Sequence, residues 1–222
     1  MFAIFSTLTW GFKSILVRWS RLLNHLSYPF FKQANHLPPK DWWDWPVDLL
    51  FYSADCVFLA DFLEILLALF KLNTRKLTEL EVATLHQVYG DKVNLDFVKI
   101  DEKSRFFTRK FALAYVSFNT INYWHSMLDQ VLVHEVMHIY QFQRYGSVYI
   151  YRALKAQYSE HIYDYGGITG LKKAREAGKS LHQFNFEQQA SIIEDYYEIS
   201  QRIDLLMVPG LVGLYQHFHE QL

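Results

Sequence analysis

The chain has 222 residues, enough for one domain or for one domain with a sizeable extension. Apolar residues make up 51% of it and aromatic residues 18%, so it can bury a large core and intrinsic disorder is excluded. The 22 basic and 23 acidic residues nearly balance, so we expect no nucleic-acid partner. The single cysteine, Cys56, excludes a disulfide framework and a thiolate zinc cluster.

Residues 1–70 are predicted to be an N-terminal aromatic and helical extension. Apolar residues recur at helical spacing from Phe12 to Leu26, with Lys13, Arg18 and Arg21 between them, which predicts a basic amphipathic helix. We expect this helix to pack on the rest of the protein. The alternative is that residues 1–46 form an arm that contacts a membrane surface or a partner protein.

Targeting and membrane-spanning patterns are absent from this extension. The apolar residues 1–12 have no basic residue before them, so we expect no signal peptide. Four acidic residues interrupt the apolar stretch 47–70, which makes a bilayer-spanning helix too costly and favours a long helix or a helix pair. We therefore expect a protein that is made in the cytoplasm, and we leave open its export without a signal peptide.

Residues 71–222 are predicted to form a second unit, a metal-binding domain. Thr78 and Glu81 have the spacing of a capping box, which starts a helix, and Gly90 is placed to end that helix. Apolar and polar residues then alternate along 93–100, which predicts a strand.

The rest of this unit predicts more strands and then a majority of helices. The β-branched and aromatic run 111–124 favours one or two strands with a turn near Asn119. Helices are expected at about 128–145, 148–160, 171–178, 185–206 and 211–221. The predicted fold class is therefore α+β, mostly helical, with a mixed or antiparallel sheet of about three strands.

The pattern that carries chemistry is HExxH, at residues 134–138. His134 and His138 are four residues apart, so on a helix both imidazoles project from one face and can bind one Zn²⁺. Glu135 lies about 100° further round the helix, where it can act as a general base on a water that the metal polarises. The residues around the motif are apolar on all sides, which predicts a buried helix.

A catalytic zinc normally has a third protein ligand, and the segment 185–195 offers candidates. Asn185 and Gln188 can cap a helix there, and Glu187 is the preferred third ligand. Glu194 lies two turns further along the same face and is an alternative, since only one of the two glutamates can reach a given zinc. The remaining alternatives are His161, Asp164 or no further protein ligand, and Asp195 is a candidate for orienting a ligand histidine.

Two runs of this chain, VLVHEVMHIYQFQRYG and FNFEQQASIIEDYY, carry a resemblance to a known group. Together with LTELE, VYG and NTI upstream, they resemble small bacterial HExxH proteins of the metallopeptidase type, related to Rhs and Vgr proteins and linked to type VI secretion. The resemblance covers about residues 75–200. It implies a gluzincin-like fold beside the active-site helix, His134, His138 and Glu187 as zinc ligands, and Glu135 as the catalytic base.

The predicted function is zinc-dependent hydrolysis of peptide bonds, on a peptide or protein substrate. Three tyrosines, Tyr163, Tyr165 and Tyr196, are candidates for stabilising the oxyanion. The resemblance to gluzincins, in which a strand precedes the HExxH helix, implies that the segment 119–124 is the sheet edge that pairs with the substrate. An alternative function is a non-catalytic zinc-binding adaptor of a secretion apparatus. A second alternative is a membrane-associated toxin or effector that contacts lipid through residues 1–46.

Overall fold

The computed structural model describes residues 2–31, 37–71, 73–104, 114–124, 126–158, 162–202 and 208–222. Helices dominate these residues, and the fold class is the predicted mostly helical α+β. The helices are α1 (Phe2–Ser27), α2 (Asp44–Cys56), α3 (Leu59–Phe70), α4 (Glu79–Tyr89), α5 (Asp129–Tyr145), α6 (Val148–Gln157), α7 (Gly167–Glu176), α8 (Phe186–Gln201) and α9 (Leu211–His219). Among them, none combines the length and the apolar character that crossing a bilayer requires.

The sheet has four strands in the described residues, one more than predicted. They are β1 (Thr74–Lys76), β2 (Lys99–Asp101), β3 (Ala114–Ser117) and β4 (Thr120–Tyr123), in the order β1-β2-β4-β3. β4 pairs antiparallel with β3 and parallel with β2, so the sheet is mixed. The predicted turn near Asn119 is confirmed, at residues 118–119, while residues 111–113 of the predicted run lie outside the described part of the chain.

The prediction of a strand over 93–100 is wrong for most of its length. Residues Leu95–Phe97 form a turn of 3-10 helix, and only the end of the segment enters β2. The backbone amide and carbonyl of Asn94 are bonded to the Gln143 side chain, at 2.8 and 3.2 Å, so they are not available to a sheet. Val93 and Phe97 are nonetheless buried. The alternating pattern therefore correctly indicated which residues are buried, although the segment is not a strand.

The core lies between the sheet and the helices that follow it. Its centre is α5, in which every residue from Glu135 to Phe142 is buried, as the apolar surroundings of the motif predicted. α8 packs along α5, α9 packs on α8, and β3 and β4 contact α5. The helix that contains the HExxH pattern is therefore enclosed by other elements on most of its surface.

The three N-terminal helices are joined to this core by buried polar contacts. The Glu64 carboxylate of α3 binds Lys99 of β2, at 2.5 Å. Two aspartates of α2, Asp44 and Asp48, share Arg152 of α6. These contacts cross the predicted boundary at residue 70, and the division into two units stays a prediction.

Candidate metal centre

The two histidines of the motif are placed by α5. They lie four residues apart, their ring centroids are 5.1 Å apart, and the rings are inclined at 74°. Both side chains are largely buried, with 12% of His134 and 9% of His138 exposed. The motif thus presents two imidazoles on one face of a helix that has little contact with water.

The third candidate ligand is placed by the start of α8. The Asn185 side chain accepts from the amide of Gln188 at 2.8 Å, and the Gln188 side chain accepts from the amide of Asn185 at 3.2 Å, so the predicted capping box is confirmed. Glu187 is in the first turn, where the helix dipole favours a negative charge. The carboxylate is 2% exposed and points at α5.

His134, His138 and Glu187 form a group whose ligand atoms lie within 4.8 Å of one another and could hold a metal ion. The Glu187 Oε2 atom is 3.3 Å from His138 Nε2 and 3.5 Å from His134 Nε2. Two ligands bound at about 2.0–2.1 Å to a tetrahedral zinc lie about 3.3–3.4 Å apart. The spacing of these atoms therefore fits ligands that share one ion of this size.

The opposite nitrogen of each histidine is held by a second residue. His134 Nδ1 is 2.9 Å from the Glu194 carboxylate, and His138 Nδ1 is 2.9 Å from Gln141 Oε1. Because these acceptors favour a proton on Nδ1, the Nε2 atom of each ring, which faces Glu187, is the one that could bind a metal ion. Glu194 is therefore placed as the residue that orients His134, and the three-ligand group does not include it.

Three glutamines complete this outer layer, and the sequence analysis did not identify them. Gln141 also donates to the Phe186 carbonyl at 3.0 Å and to Gln189 at 3.2 Å, which ties α5 to the start of α8. Gln157 of α6 donates to Glu187 Oε1 at 3.0 Å, which leaves Oε2 directed at the histidines. The sequence offered a signal for Gln141, because it lies about one turn after His138 on the same helix and can therefore reach that ring.

The charges of the group perturb one another strongly. Burial alone would lower the pKa of His134, but hydrogen bonds to Glu187 and Glu194 outweigh it and raise that pKa to about 10. Burial alone would raise the pKa of Glu187, but the charge of His138 and the contacts with both histidines hold it well below its usual range. Without a metal ion, the negative carboxylates therefore favour protonated histidines, and these protons supply the positive charge that a metal ion would otherwise bring.

Glu135 lies beside the group and does not belong to it. It is 6% exposed, and within the described part of the chain its Oε2 atom has no hydrogen-bond partner. Burial raises the pKa of this carboxyl. The charges of Glu187 and Glu194 raise it further, and those of His138 and His134 lower it, by less than burial raises it. A buried carboxylate oxygen without a protein partner is costly, which points to a group such as a water or a substrate atom that is not part of the chain.

Three lesser predictions about the site are wrong. Asp195 does not orient a histidine, because its carboxylate accepts from the Tyr165 hydroxyl. Asp164 does not join the metal group, because its side chain binds the amide of Gly166 at 2.7 Å. The segment 119–124 is not a sheet edge, because β4 lies between β2 and β3. The remaining alternative ligand, His161, lies outside the described residues.

The structure separates the three candidate tyrosines. The Tyr165 hydroxyl also contacts that of Tyr215, at 2.8 Å, and Tyr196 stacks on His219. Tyr163 has its ring centre 6.1 Å from that of His134 and is 53% exposed. Burial, together with Glu187, Glu135 and Glu194, raises the pKa of Tyr163, which places its hydroxyl in the field of the site.

Comparison of the chain with family models, with curated proteins and with solved structures finds no match. The resemblance to bacterial HExxH proteins therefore stays a prediction, and the functional argument depends on the site itself.

Proposed function

We propose that this protein is a zinc-dependent metallopeptidase. The observation that carries the proposal is the convergence of three ligand atoms, from His134, His138 and Glu187, beside the unpartnered carboxylate oxygen of Glu135. Two imidazoles and one carboxylate are a ligand set typical of catalytic zinc, with a further position left for water or substrate. A structural zinc would instead have four protein ligands, most often with thiolates among them.

The metal would supply Lewis acidity, which polarises the scissile carbonyl and makes a water more acidic. Glu135 takes a proton from the attacking water and passes it to the amine nitrogen as the peptide bond breaks. Glu194 and Gln141 hold the two rings in the required orientation.

One further element supports a peptide substrate. We place the Tyr163 hydroxyl as the donor to the developing oxyanion, because it is the candidate tyrosine that is both partly exposed and next to His134. The free side of β3 is a poor place for an extended substrate, because the Tyr149 hydroxyl of α6 already donates to the Val116 carbonyl there, at 2.9 Å.

The test is the rate of peptide cleavage by zinc-loaded Glu135→Gln. Glutamine keeps the shape of the side chain but cannot accept the proton, so we expect cleavage to fall by about 10²–10⁴-fold while the zinc content stays at that of the parent. Glu198→Gln is the matched control, because Glu198 is a solvent-exposed glutamate of α8 that pairs with Arg202.

Two results would contradict this assignment. Cleavage by zinc-loaded Glu135→Gln at the parent rate would show that Glu135 is not the base. A zinc-loaded parent that cleaves no member of a diverse peptide library would favour the alternative function, a zinc-binding adaptor. Zinc content is measured on every sample, because loss of the metal would imitate loss of the base.

A further inference from the structure

The distribution of polar residues in α3 is the reverse of that in an ordinary surface helix. Every exposed position of this helix is Leu or Phe, including Phe62 and Phe70, which are 62% and 78% exposed. The acidic residues Asp61 and Glu64 face inward, where they bind Arg18 and Lys99. A helix that contacts water normally has its charges outside and its leucines inside.

The first helix has the same inverted pattern. Its buried residues include Ser14, Arg18 and His25, while Phe12 and Leu16 are 72% and 79% exposed. At 100° per residue, the exposed apolar side chains, except Val17, lie within an arc of about 100° that continues for the length of the helix. They are Phe5, Leu8, Phe12, Ile15, Leu16, Trp19, Leu23 and Leu26.

Few charges remain on the outside of this region. The first 40 residues contain five basic residues and no acidic one, but among those described only Lys13 and Lys40 are exposed, and Arg18 is buried against Asp61. The acidic residues of 41–70 are also buried, except for Asp41. In the described residues the outer surface of α1 and α3 is therefore mainly apolar, with Lys13 as its exposed cation.

α1 and α3 also enclose an apolar groove of about 300 Å³ on this surface. The helices approach closely because Gly11 lacks a side chain: a Cβ atom there would lie 3.1 Å from Asp61 Oδ1 and 3.3 Å from the Phe58 ring. The walls are mostly aromatic and aliphatic carbon, which matches the chemistry of an acyl chain. The lining residues are Leu8, Gly11, Phe12, Phe58, Asp61, Phe62 and Ile65.

We propose that the outer face of α1 and α3 binds the surface of an anionic lipid bilayer, with both helices lying in its plane. Polar groups buried inside and apolar groups outside are the arrangement expected of helices whose outer solvent is hydrocarbon. Basic residues beside such a face are attracted to anionic headgroups.

The test is cosedimentation of the zinc-loaded full chain with phosphatidylcholine vesicles that contain phosphatidylglycerol. We expect the parent to bind, and the double variant Leu16→Glu, Phe62→Glu to bind at least about tenfold more weakly, because each change places a charge among acyl chains. Leu80→Glu is the matched control, since Leu80 is 75% exposed on α4 and should bind like the parent. Circular dichroism establishes that each variant is folded.

The proposal is overturned if the folded parent does not bind these vesicles, or if the double variant binds them as well as the parent does. It is also overturned if the parent forms oligomers that the double variant abolishes and neither binds vesicles, because the face would then contact protein. None of these measurements uses hydrolysis, so failure of this inference and failure of the metallopeptidase proposal are distinguishable.

Discussion

Glu187→Gln is expected to remove most of the zinc affinity of the protein. In the structure, Gln157 donates to Glu187 Oε1 at 3.0 Å, while Oε2 faces the two histidines at 3.3 and 3.5 Å. A glutamine that keeps the bond from Gln157 must use its oxygen for it and turn its NH₂ group towards the histidines. The change therefore replaces an anionic ligand atom by a donor that cannot bind a cation.

The size of the effect follows from the share of one ligand in the total binding free energy. Four-ligand zinc peptides bind the metal with about 10–16 kcal/mol, so one ligand contributes about 2.5–4 kcal/mol. This corresponds to a loss of about 10²–10³-fold in affinity. Glu194→Gln should cost less, towards about tenfold, because that residue only orients His134 and glutamine can still accept from Nδ1.

The assay is competition for zinc against a chromophoric chelator at fixed pH, with thermal unfolding of the metal-loaded and chelator-treated proteins as a second measurement. A ligand that binds only the native state raises its stability, so Glu187→Gln should lose most of the zinc-dependent shift in melting temperature. Glu198→Gln is the control, because this glutamate on the same helix pairs with Arg202 at 3.3 Å and its side chain is 37% exposed.

The reasoning is refuted if Glu194→Gln loses more zinc affinity than Glu187→Gln, since the third ligand would then be Glu194. Unchanged affinity in both variants, with loss of zinc on replacing His134 and His138, would leave the two histidines as the protein ligands. Either result would also remove the basis for assigning the outer roles of Gln157 and Glu194.

Three further predictions concern pH and the packing of the N-terminal helices. Zinc affinity is expected to rise with pH from about 7 towards 10, because the pKa of His134 is raised to about 10 and zinc must displace that proton. Chelator competition at several pH values measures this affinity, and an affinity that does not change with pH would contradict the prediction. For the same reason the metal-free protein should have the full contribution of His134 to stability below pH 6.5 and lose it as the pH rises through about 10, which urea unfolding at several pH values measures. Arg152→Ala should lower the free energy of unfolding by about 3–5 kcal/mol, because it leaves two buried aspartates of α2 without that partner. The control is Arg202→Ala, in an exposed pair, which should change the free energy of unfolding by less than about 1 kcal/mol. Equal effects of the two variants in urea unfolding would contradict this prediction.

The metal group was predictable from the sequence because its geometry is local. The spacing of His134 and His138 on one helix determines that their rings share a face, and the capping residues of α8 determine where that helix begins, which puts Glu187 in its first turn. The predicted ligands therefore required only that α5 and α8 pack together. The outer layer was predictable only in part. Glu194 shares a face with Glu187, so it follows once Glu187 faces α5, but the contacts of Gln141 and Gln157 depend on how α5, α6 and α8 pack together.

The sheet was harder to predict, for a related reason. β1 has three residues, too few to show any alternation, and β4 lies inside the sheet because it pairs in parallel with β2, a contact between distant segments. The orientation of α3 was not predictable either. Its acidic residues argued against a spanning helix, but the sequence did not show that they face inward.

The buried ion pairs between the N-terminal helices and the core have a practical consequence for protein production. A shortened chain beginning at Lys71 would lack the carboxylates that neutralise Lys99 and Arg152, which are 1% and 7% exposed in the full chain. Each would then be a solitary cation in an apolar interior, or an opening through which water enters beside β2 and α6. Recombinant work on residues 71–222 alone should therefore carry neutral replacements at these two positions, or retain the first 70 residues.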